Sequence, residues 1–413
     1  MIERIKALSA KFYPQIRALR EQIHAEPELS FEEFNTAKKV CEILQKAGIS
    51  FQSGVAKTGI VAQIVGTKKG SNTQKCVLLR ADMDALPVDE KSGVSYASKV
   101  AGKMHACGHD GHTAALVGAA LILNELKSEF SGVVKFMFQP AEENYGGAEP
   151  MIRAGVLENP RVDAVFGFHL WGSVQENKAQ ISSGAVMAGV DSFDLEFIGK
   201  GGHGAHPHTA IDPVVMAAKF ITDAQTLVSR RLKPVDAGVV TIGAINAGTT
   251  YNIIPQNATL KGTVRFLNDK TQKILQKGIE QIAKAVASEF SGKFKLQYTR
   301  EYPPLINDKA MSALAQRAFA KVLGDKNVIK EAAADMGAED FAFLARARKG
   351  AYVFVGISKD LKNPALHHSP NFCWDTQNLN DKIHWQDSDF LKQKVYQTNI
   401  LPLLFLMEGL QEK

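Results

Sequence analysis

The segment KCVLLRADMDALP, residues 75–87, joins a short apolar run to two aspartates and a proline. Similar runs occur at 59–66 (GIVAQIVG), 132–143 (GVVKFMFQPAEE) and 162–171 (VDAVFGFHLW), with helical patterns such as HTAALVGAALILNEL at 112–126 among them. Continuous apolar strands that alternate with helices are typical of a largely parallel sheet covered on both faces. The first part of the chain is therefore predicted to have an α/β fold.

Residues 191–302 follow a different order. They are predicted to form strand, helix, strand, strand, helix and strand at 192–200, 212–232, 237–245, 258–267, 269–290 and 293–302. This β-α-β-β-α-β order predicts a ferredoxin-like domain inserted into a larger one. The α/β pattern then returns, so we expect 1–190 and 303–413 to form one discontinuous domain, with a final helix within 371–413.

The N-terminal part contains an amphipathic helix pattern, SFEEFNTAKKVCEILQKA, at 30–47. Ser30 and Glu33 have the spacing of a capping box, in which the two side chains bond to each other's backbone N–H groups. We therefore predict that this pair begins the helix.

Bulk composition narrows the class of protein. A chain of 413 residues favours two domains over one core. The 49 basic residues are scattered among 43 acidic ones without a run of like charges, which argues against a nucleic-acid partner. The charged N-terminus has no apolar signal core, and no apolar run reaches the roughly 18 residues of a membrane helix. Four cysteines are too few for a disulfide framework. We expect a cytoplasmic protein.

Side chains that can bind metals follow several predicted strands or begin a predicted helix. Sites in open α/β sheets gather beyond the carboxyl ends of strands, so these side chains are expected to converge. The segment MHACGHDGH, residues 104–112, precedes a helix and is the densest of these donor groups. The donors are Asp82, Asp84, Cys107, His109, Glu142, Glu143, His169, His367 and His368.

Three uses of Cys107 compete: a redox or disulfide cysteine, a nucleophile with a histidine base, or a metal ligand. A single histidine in a strand or an adjacent glutamate pair is ordinarily structural or solvated. Metal binding is favoured because it uses all the donor groups, and a thiolate can bridge two divalent cations. Imidazole, carboxylate and thiolate ligands favour zinc, with manganese, cobalt or nickel as alternatives.

A second pattern, GKGGHG at 199–204, matches the dinucleotide-binding pattern G-x-G-x-x-G. The match is weak because the next predicted helix starts only around Asp212. We do not expect nucleotide binding there, and we predict instead a loop that presents His203 and His206.

From about Ile16 to Phe372, the chain resembles the amidohydrolase branch of the aminoacylase/desuccinylase metallopeptidases. This branch includes hippurate hydrolases, N-acyl-amino-acid deacylases and auxin-conjugate hydrolases. The resemblance rests on LREQIHAEPELSFEE, LRADMDALPV, MHACGHDGHTA, FQPAEE, GFHLW, GKGGHGAHPH, DPV, NIIP, GTVR, GAEDFA and HHSP. The resemblance implies two divalent metal ions per subunit and hydrolysis of small N-acyl or N-aroyl amino acids. A dipeptidase or carboxypeptidase with the same site, or a non-catalytic metal- or amino-acid-binding protein, remains an alternative.

The resemblance also implies residue roles. Cys107 would bridge the two ions, His109 and His169 would complete one ligand set, and Glu143 and His368 the other. Glu142 matches the general base, and Asp84 a residue that supports the site. In the inserted domain His203, Asn252 and Arg265 match residues that meet substrate, and His203 would reach the neighbouring subunit's site in a homodimer built through that domain. The segment after Phe372 matches no part of the pattern.

Overall fold

The computed structural model describes residues 2–68, 75–144 and 146–374. The final helix predicted within 371–413 lies outside the described residues, apart from the first four positions of that range. The described residues form two compact units. The smaller unit comprises Ala185–Leu305 and Ala334–Ala342, and the larger unit comprises the remainder. The smaller unit therefore extends beyond the predicted 191–302 at both ends and includes a segment that we had assigned to the discontinuous domain.

The helices of the described residues are α1 (Ile2–Ala25), α2 (Phe34–Lys46), α3 (His109–Glu125), α4 (Ala148–Arg153), α5 (Pro213–Thr226), α6 (Asp269–Glu289), α7 (Lys309–Leu323) and α8 (Phe341–Ala347). Short helical turns lie at Pro207–Thr209, Leu227–Arg231 and Asp325–Asn327. The strands are β1 (Ser50–Val55), β2 (Gly59–Val65), β3 (Cys76–Asp82), β4 (Val133–Gln139), β5 (Ala164–Gln175), β6 (Ala179–Gln180), β7 (Gly184–Met187), β8 (Gly189–Ile198), β9 (Gly202–His203), β10 (Gly238–Ala247), β11 (Ile253–Ile254), β12 (Asn257–Phe266), β13 (Lys293–Tyr302), β14 (Leu305–Asn307), β15 (Val328–Ile329) and β16 (Lys349–Ser358).

The larger unit is built around an eight-stranded sheet of order β1-β2-β4-β3-β5-β16-β6-β15. Its central strands β4, β3, β5 and β16 run parallel, whereas β1 and β2 are antiparallel at one edge. Strand β3 is buried at every position. Because successive side chains of a strand point to opposite faces, both faces of the sheet are covered there. The predicted mostly parallel α/β fold is confirmed, and the carboxyl ends of β3, β4 and β5 lie along one edge.

Helix α2 begins differently from the prediction. It starts at Phe34, and the Glu33 side chain makes no capping bond to it. The Glu28 carboxylate instead accepts hydrogen bonds from the backbone N–H groups of Asn35 (3.0 Å) and Thr36 (2.8 Å). The predicted capping box is therefore wrong, because the Ser30 and Glu33 side chains bond to groups outside the helix.

The principal elements of the smaller unit follow the order β8-α5-β10-β12-α6-β13, which is the predicted β-α-β-β-α-β order, and the two-residue strands β9 and β11 pair with each other. Its antiparallel sheet has the order β10-β12-β8-β13. The Asp212 and Asn268 side chains cap α5 and α6. The largest fully buried side chains of its core are Phe193, Phe197, Phe220 and Phe266. Each unit thus has its own hydrophobic core.

No helix in the described part of the chain combines the length and apolar composition that crossing a membrane requires.

A buried charged network joins α1 to α3 in the larger unit. One carboxylate oxygen of Asp110 lies 2.9 Å from both Arg20 Nε and His24 Nδ1. His24 Nε2 lies 3.1 Å from Glu90 Oε1. The guanidinium of Arg20 also stacks 4.0 Å from the ring of Trp374, the last described residue. The network therefore fixes the first turn of α3 against α1.

The network predicts a pH dependence of stability. Burial alone would lower the pKa of His24, but Asp110 and Glu90 raise it to about 9 against the opposing charge of Arg20. Because the unfolded value is about 6.5, this stabilisation is complete below about pH 6.5 and is lost as the pH rises through about 9. We expect a loss on the order of 3 kcal/mol from this group.

Denaturant unfolding at pH 6.5 and 9.5, followed by tryptophan fluorescence, measures this loss. The His24→Gln variant should show a smaller loss, whereas His208→Gln, at an exposed histidine, should match the wild type. An equal pH dependence in all three proteins would contradict the assignment.

Candidate metal centre

Cys107 is the common member of two groups of donor atoms. Its Sγ lies 3.4 Å from Nε2 of His169, which is on β5. Cys107, His109 and His169 each place a donor atom within 4.8 Å of the other two. Cys107, Glu143 and His368 do the same. The structure therefore brings all five predicted ligands together, in the two sets that the resemblance implies.

Local structure explains how the chain presents these donors. Gly108 has a φ of +86°, and this conformation turns the chain between Cys107 and His109, the first residue of α3. Glu143 lies four residues beyond the end of β4, and His169 lies within β5. His368 has a φ of +61°, an uncommon value for a non-glycine residue. The donors thus come from a helix start, from the regions of β4 and β5, which lie on either side of β3, and from one constrained loop.

The partners of the histidines determine which ring nitrogen faces the centre. His169 Nδ1 lies 2.7 Å from the carbonyl oxygen of Leu170, so it must donate, which leaves the Nε2 lone pair facing Cys107. Burial holds the pKa of His169 well below its usual range. His109 Nδ1 lies 3.3 Å from Asp84 Oδ1, which directs His109 Nε2 toward the centre. Carboxylate or carbonyl partners of this kind orient metal-binding histidines.

Several buried donor atoms face one another without hydrogen bonds. His109 Nε2 and Glu143 Oε1 have no hydrogen-bond partner among the described residues, although they lie 3.7 Å apart. Glu143 Oε1 is also 3.3 Å from His368 Nε2. Burial and the charges of Glu143 and Glu142 raise the pKa of the Cys107 thiol well above its usual range. Buried polar atoms are normally satisfied, so this donor set fits divalent cations, which would satisfy the lone pairs and favour the thiolate.

Asp84 organises the centre without facing it directly. Its Oδ1 accepts from the backbone N–H of Glu142 (3.0 Å) and lies near His109; its Oδ2 accepts from the N–H of Glu143 (3.0 Å) and the hydroxyl of Ser30 (2.7 Å). One carboxylate thus fixes the proposed base, one ligand of each set and the loop before α2. This geometry supports the positioning role expected for Asp84.

Asp82 is held by other partners. Its carboxylate lies 2.6 Å from Arg80 Nη1 and 2.6 Å from His112 Nδ1. His112 Nε2 in turn accepts from the backbone N–H of Leu170 (3.0 Å), which follows the ligand His169. Sequence reasoning gave no role to Arg80 or His112. A charged residue inside an apolar strand was the only signal for Arg80.

His367 is one of the donor residues in the sequence, but the family resemblance gives it no role. Its Nε2 accepts from the backbone N–H of Gly172 (3.1 Å), and its Nδ1 lies 3.8 Å from Cys107 Sγ. The ring therefore presents its N–H to the sulfur, so that His367 is a hydrogen-bond donor to Cys107 rather than a metal ligand. Burial lowers the pKa of His367 to about 3, so the ring is neutral. His368, next in the chain, faces Glu143, in agreement with its selection as the ligand.

In the smaller unit, His203 and Asn252 lie on neighbouring segments. His203 pairs with Ile253, and the N–H of Gly204 donates to the carbonyl of Asn252 (2.8 Å). His203 Nδ1 accepts from the N–H of Ala205 (3.0 Å), so its exposed ring carries a proton on Nε2 and can donate. Arg265, half-buried on β12, donates through Nη1 to Thr263 and Val264. The roles of these three residues remain predictions.

Comparison with known families matches residues 78–384 to peptidase family M20/M25/M40. The chain belongs to the M20 family. It is 40% identical over 366 residues to an IAA-amino acid hydrolase of Arabidopsis thaliana, a match that covers 87% of this chain and 81% of the relative. It is 39% identical over 355 residues to the hippurate hydrolase of Campylobacter jejuni, covering 86% and 90%. These relatives confirm the resemblance to amidohydrolases.

The fold of this M20 chain also matches a solved structure from the family. A dinuclear metal-binding M20 peptidase of Bacillus subtilis superposes with a TM-score of 0.78 at 30% identity, covering 97% of this chain and 99% of that one. The match agrees with the donor sets around Cys107: this M20 chain binds divalent metal.

The Asp84→Asn variant tests whether Asp84 holds Glu142 and Glu143 in place through their backbone N–H groups. One oxygen becomes an NH₂ group, which cannot accept from the backbone N–H of Glu142 or Glu143. We expect metal affinity to fall by about 10–100-fold, measured by competition with a chelator. Asp194→Asn, at an exposed position of β8, is the matched control and should bind like wild type. Wild-type affinity in Asp84→Asn would refute the positioning role.

The His368→Ala and His367→Ala variants distinguish the predicted metal ligand, His368, from the histidine that precedes it. We expect two tightly bound ions per chain in the wild type and one after removal of the His368 imidazole, as measured by elemental analysis after dialysis. His367→Ala should keep both ions, because its ring nitrogens already bond to Gly172 and Cys107. Loss of an ion from His367→Ala alone would reverse the assignment of the two histidines.

Proposed function

We propose that this metal-dependent amidohydrolase cleaves the amide bond of N-acyl or N-aroyl amino acids to give a carboxylic acid and a free amino acid. The observation that supports this most directly is the position of Cys107 in two donor sets, with the Glu142 carboxylate close to them. Glu142, Glu143 and His109 place donor atoms within 4.8 Å of one another. The amino-acid conjugates in the names of the two relatives indicate the substrate class.

Cys107, His109 and His169 would hold one ion, and Cys107, Glu143 and His368 the other. One thiolate, three imidazoles and a carboxylate make zinc our first choice, with manganese, cobalt or nickel as alternatives. When bound, such ions supply a water of lowered pKa and polarise the substrate carbonyl.

Glu142 would act as the general base. Its backbone N–H is held by Asp84, and its side chain is largely buried, with 7% of the residue exposed. The carboxylate would take a proton from water as the water oxygen bonds to the amide carbon. It would then deliver that proton to the amide nitrogen as the carbon–nitrogen bond breaks. One fixed carboxylate thus serves both transfers.

The smaller unit would supply substrate contacts. His203 Nε2–H would donate to the carbonyl oxygen as negative charge develops there, an interaction typically worth about 3 kcal/mol. Arg265 would meet the free carboxylate of the amino acid, which suits a guanidinium group, and Asn252 would add a further polar contact. We also propose a homodimer formed through the smaller unit, in which His203 serves the neighbouring subunit.

Glu142→Gln tests the proposed base. The amide keeps the shape of the side chain but cannot accept the proton, so kcat should fall by about 10²–10⁴-fold with metal content unchanged. Wild type and variant would be assayed with N-benzoyl-glycine, N-acetyl-methionine and simple dipeptides, with metal content measured on the same samples. Glu149→Gln, at an exposed position of α4, should retain full activity.

The results also separate the alternatives. Near wild-type hydrolysis by metal-loaded Glu142→Gln would show that the assigned base is wrong. Preferential cleavage of dipeptides by the wild type would favour the dipeptidase or carboxypeptidase alternative. Substrate binding without turnover in the metal-loaded wild type would favour a binding protein.

A further inference from the structure

We propose that Glu33 is a positioning residue for the centre: its buried carboxyl group holds the turn at Ala141 and thereby sets the places of Glu142 and Glu143. Nothing in the Glu33 sequence context predicts this role, since the spacing to Ser30 indicates a helix cap. The inference rests on the proposed function, because it assigns Glu33 an effect on the proposed base and on one proposed ligand.

The contacts of Glu33 point toward the turn after β4. Its Oε1 accepts from the backbone N–H of Ala141 (2.9 Å), which is distant in sequence, and from that of Phe31 (3.0 Å). Its Oε2 accepts from the hydroxyl of Thr58 (2.5 Å). Both Glu33 and Ala141 are fully buried. A carboxyl group in this environment is retained only where bonds compensate for its desolvation, and the bond to Ala141 is the one that reaches the centre.

The turn that receives this bond has an unusual conformation. Ala141 has a φ of +54°, in the left-handed region that residues with a Cβ seldom adopt. Such a conformation persists only where the surroundings impose it. The carbonyl of Ala141 is held as well, since it accepts from the N–H of Gly147 (3.0 Å). Glu33 and Gly147 therefore fix the peptide groups on both sides of Ala141.

Two buried carboxyl groups divide three consecutive N–H groups between them. Ala141 donates to Glu33, whereas Glu142 and Glu143 donate to Asp84. The segment that contains the proposed base and one proposed ligand is thus held at every backbone N–H. If Glu33 is truncated, the N–H of Ala141 is left buried without this partner, and the left-handed turn loses a restraint immediately before Glu142.

The helix cap does not explain the presence of Glu33, because Glu28 caps α2. Glu28 therefore provides a matched control. Loss of its side chain removes the cap of the same helix but no bond to Ala141, Asp84 or the donor groups. A purely structural role for Glu33 would make Glu33→Ala resemble Glu28→Ala.

Glu33→Gln is the conservative variant. Its amide oxygen can accept from Ala141 and Phe31, and its NH₂ group can donate to the Thr58 hydroxyl. Burial raises the pKa of Glu33 to about 7, against hydrogen bonds that lower it, so a neutral group is also tolerated at this position. Glu33→Asp instead keeps the carboxyl group but withdraws it from Ala141 by one methylene.

The experiment measures kcat and KM at saturating metal, and metal affinity by chelator competition, for Glu33→Ala, Glu33→Gln, Glu33→Asp, Glu28→Ala and wild type. We expect Glu33→Ala and Glu33→Asp to lower kcat by about 10–100-fold with KM unchanged, and to weaken one of the two ions by a similar factor. Glu33→Gln should retain the kcat and the metal affinity of the wild type. Glu28→Ala should lower the unfolding midpoint while keeping the kcat and metal affinity of wild type.

Wild-type kcat and wild-type affinity for both ions in Glu33→Asp would overturn the inference, even if Glu33→Ala does not fold. An equal loss of kcat and metal affinity in Glu28→Ala and Glu33→Ala would also overturn the inference, because the effect of Glu33 would then be one of stability alone. Failure of the proposed function is distinguishable, because it would appear as a wild-type protein that binds metal but hydrolyses none of the N-acyl amino acids.

Discussion

The larger unit brings several acidic side chains together in one place. Asp82, Asp84, Cys107, Glu142 and Glu143 gather near the carboxyl ends of β3 and β4 and the start of α3. Burial of like charges is strongly unfavourable unless opposite charges or hydrogen bonds compensate. Asp82 has Arg80 and His112. Around Cys107, thiol, imidazole and carboxylate groups face one another as possible metal ligands, and divalent cations would compensate their charge.

The hydrogen bonds around the donors indicate how the protein keeps them in place. Carboxylates and carbonyls hold the outer ring nitrogens of His109 and His169, and Asp84 holds the backbone of both glutamates. These two histidines and two glutamates are therefore oriented through atoms that do not themselves face the centre. Such an arrangement limits reorganisation when ions bind, and it explains why so many buried polar residues surround a small set of ligands.

The residues alone were sufficient to predict most of the longer strands and the convergence of the donors, whereas the division of the donors into two ligand sets came from the family resemblance. Each donor segment adjoins an apolar strand or begins a helix, and parallel strands bring their carboxyl ends to the same edge. The pairing of Ser30 with Glu33 was misjudged because local spacing cannot reveal that Glu28 caps α2 and that Asp84 and Ala141 compete for the other two side chains. Contacts between residues distant in sequence, rather than the local spacing, therefore determine the hydrogen-bond partners of Ser30 and Glu33.

The same limit applies to the histidines. The roles of His112 and His367 depend on the backbone N–H groups of Leu170 and Gly172, which occupy one nitrogen of each ring. Spacing in HHSP or CGHDGH contains no information about these bonds. The choice of His368 over His367 came from family resemblance, and the contacts of the two rings supply its physical reason.

The most direct test of this account is anomalous diffraction from crystals of the zinc-loaded protein, with data collected on both sides of the zinc absorption edge. The account predicts two peaks that both contact Cys107 Sγ, one also bound by His109 and His169 and the other by Glu143 and His368. Peaks remote from Cys107, or a single ion held by Asp82 and His112, would contradict it.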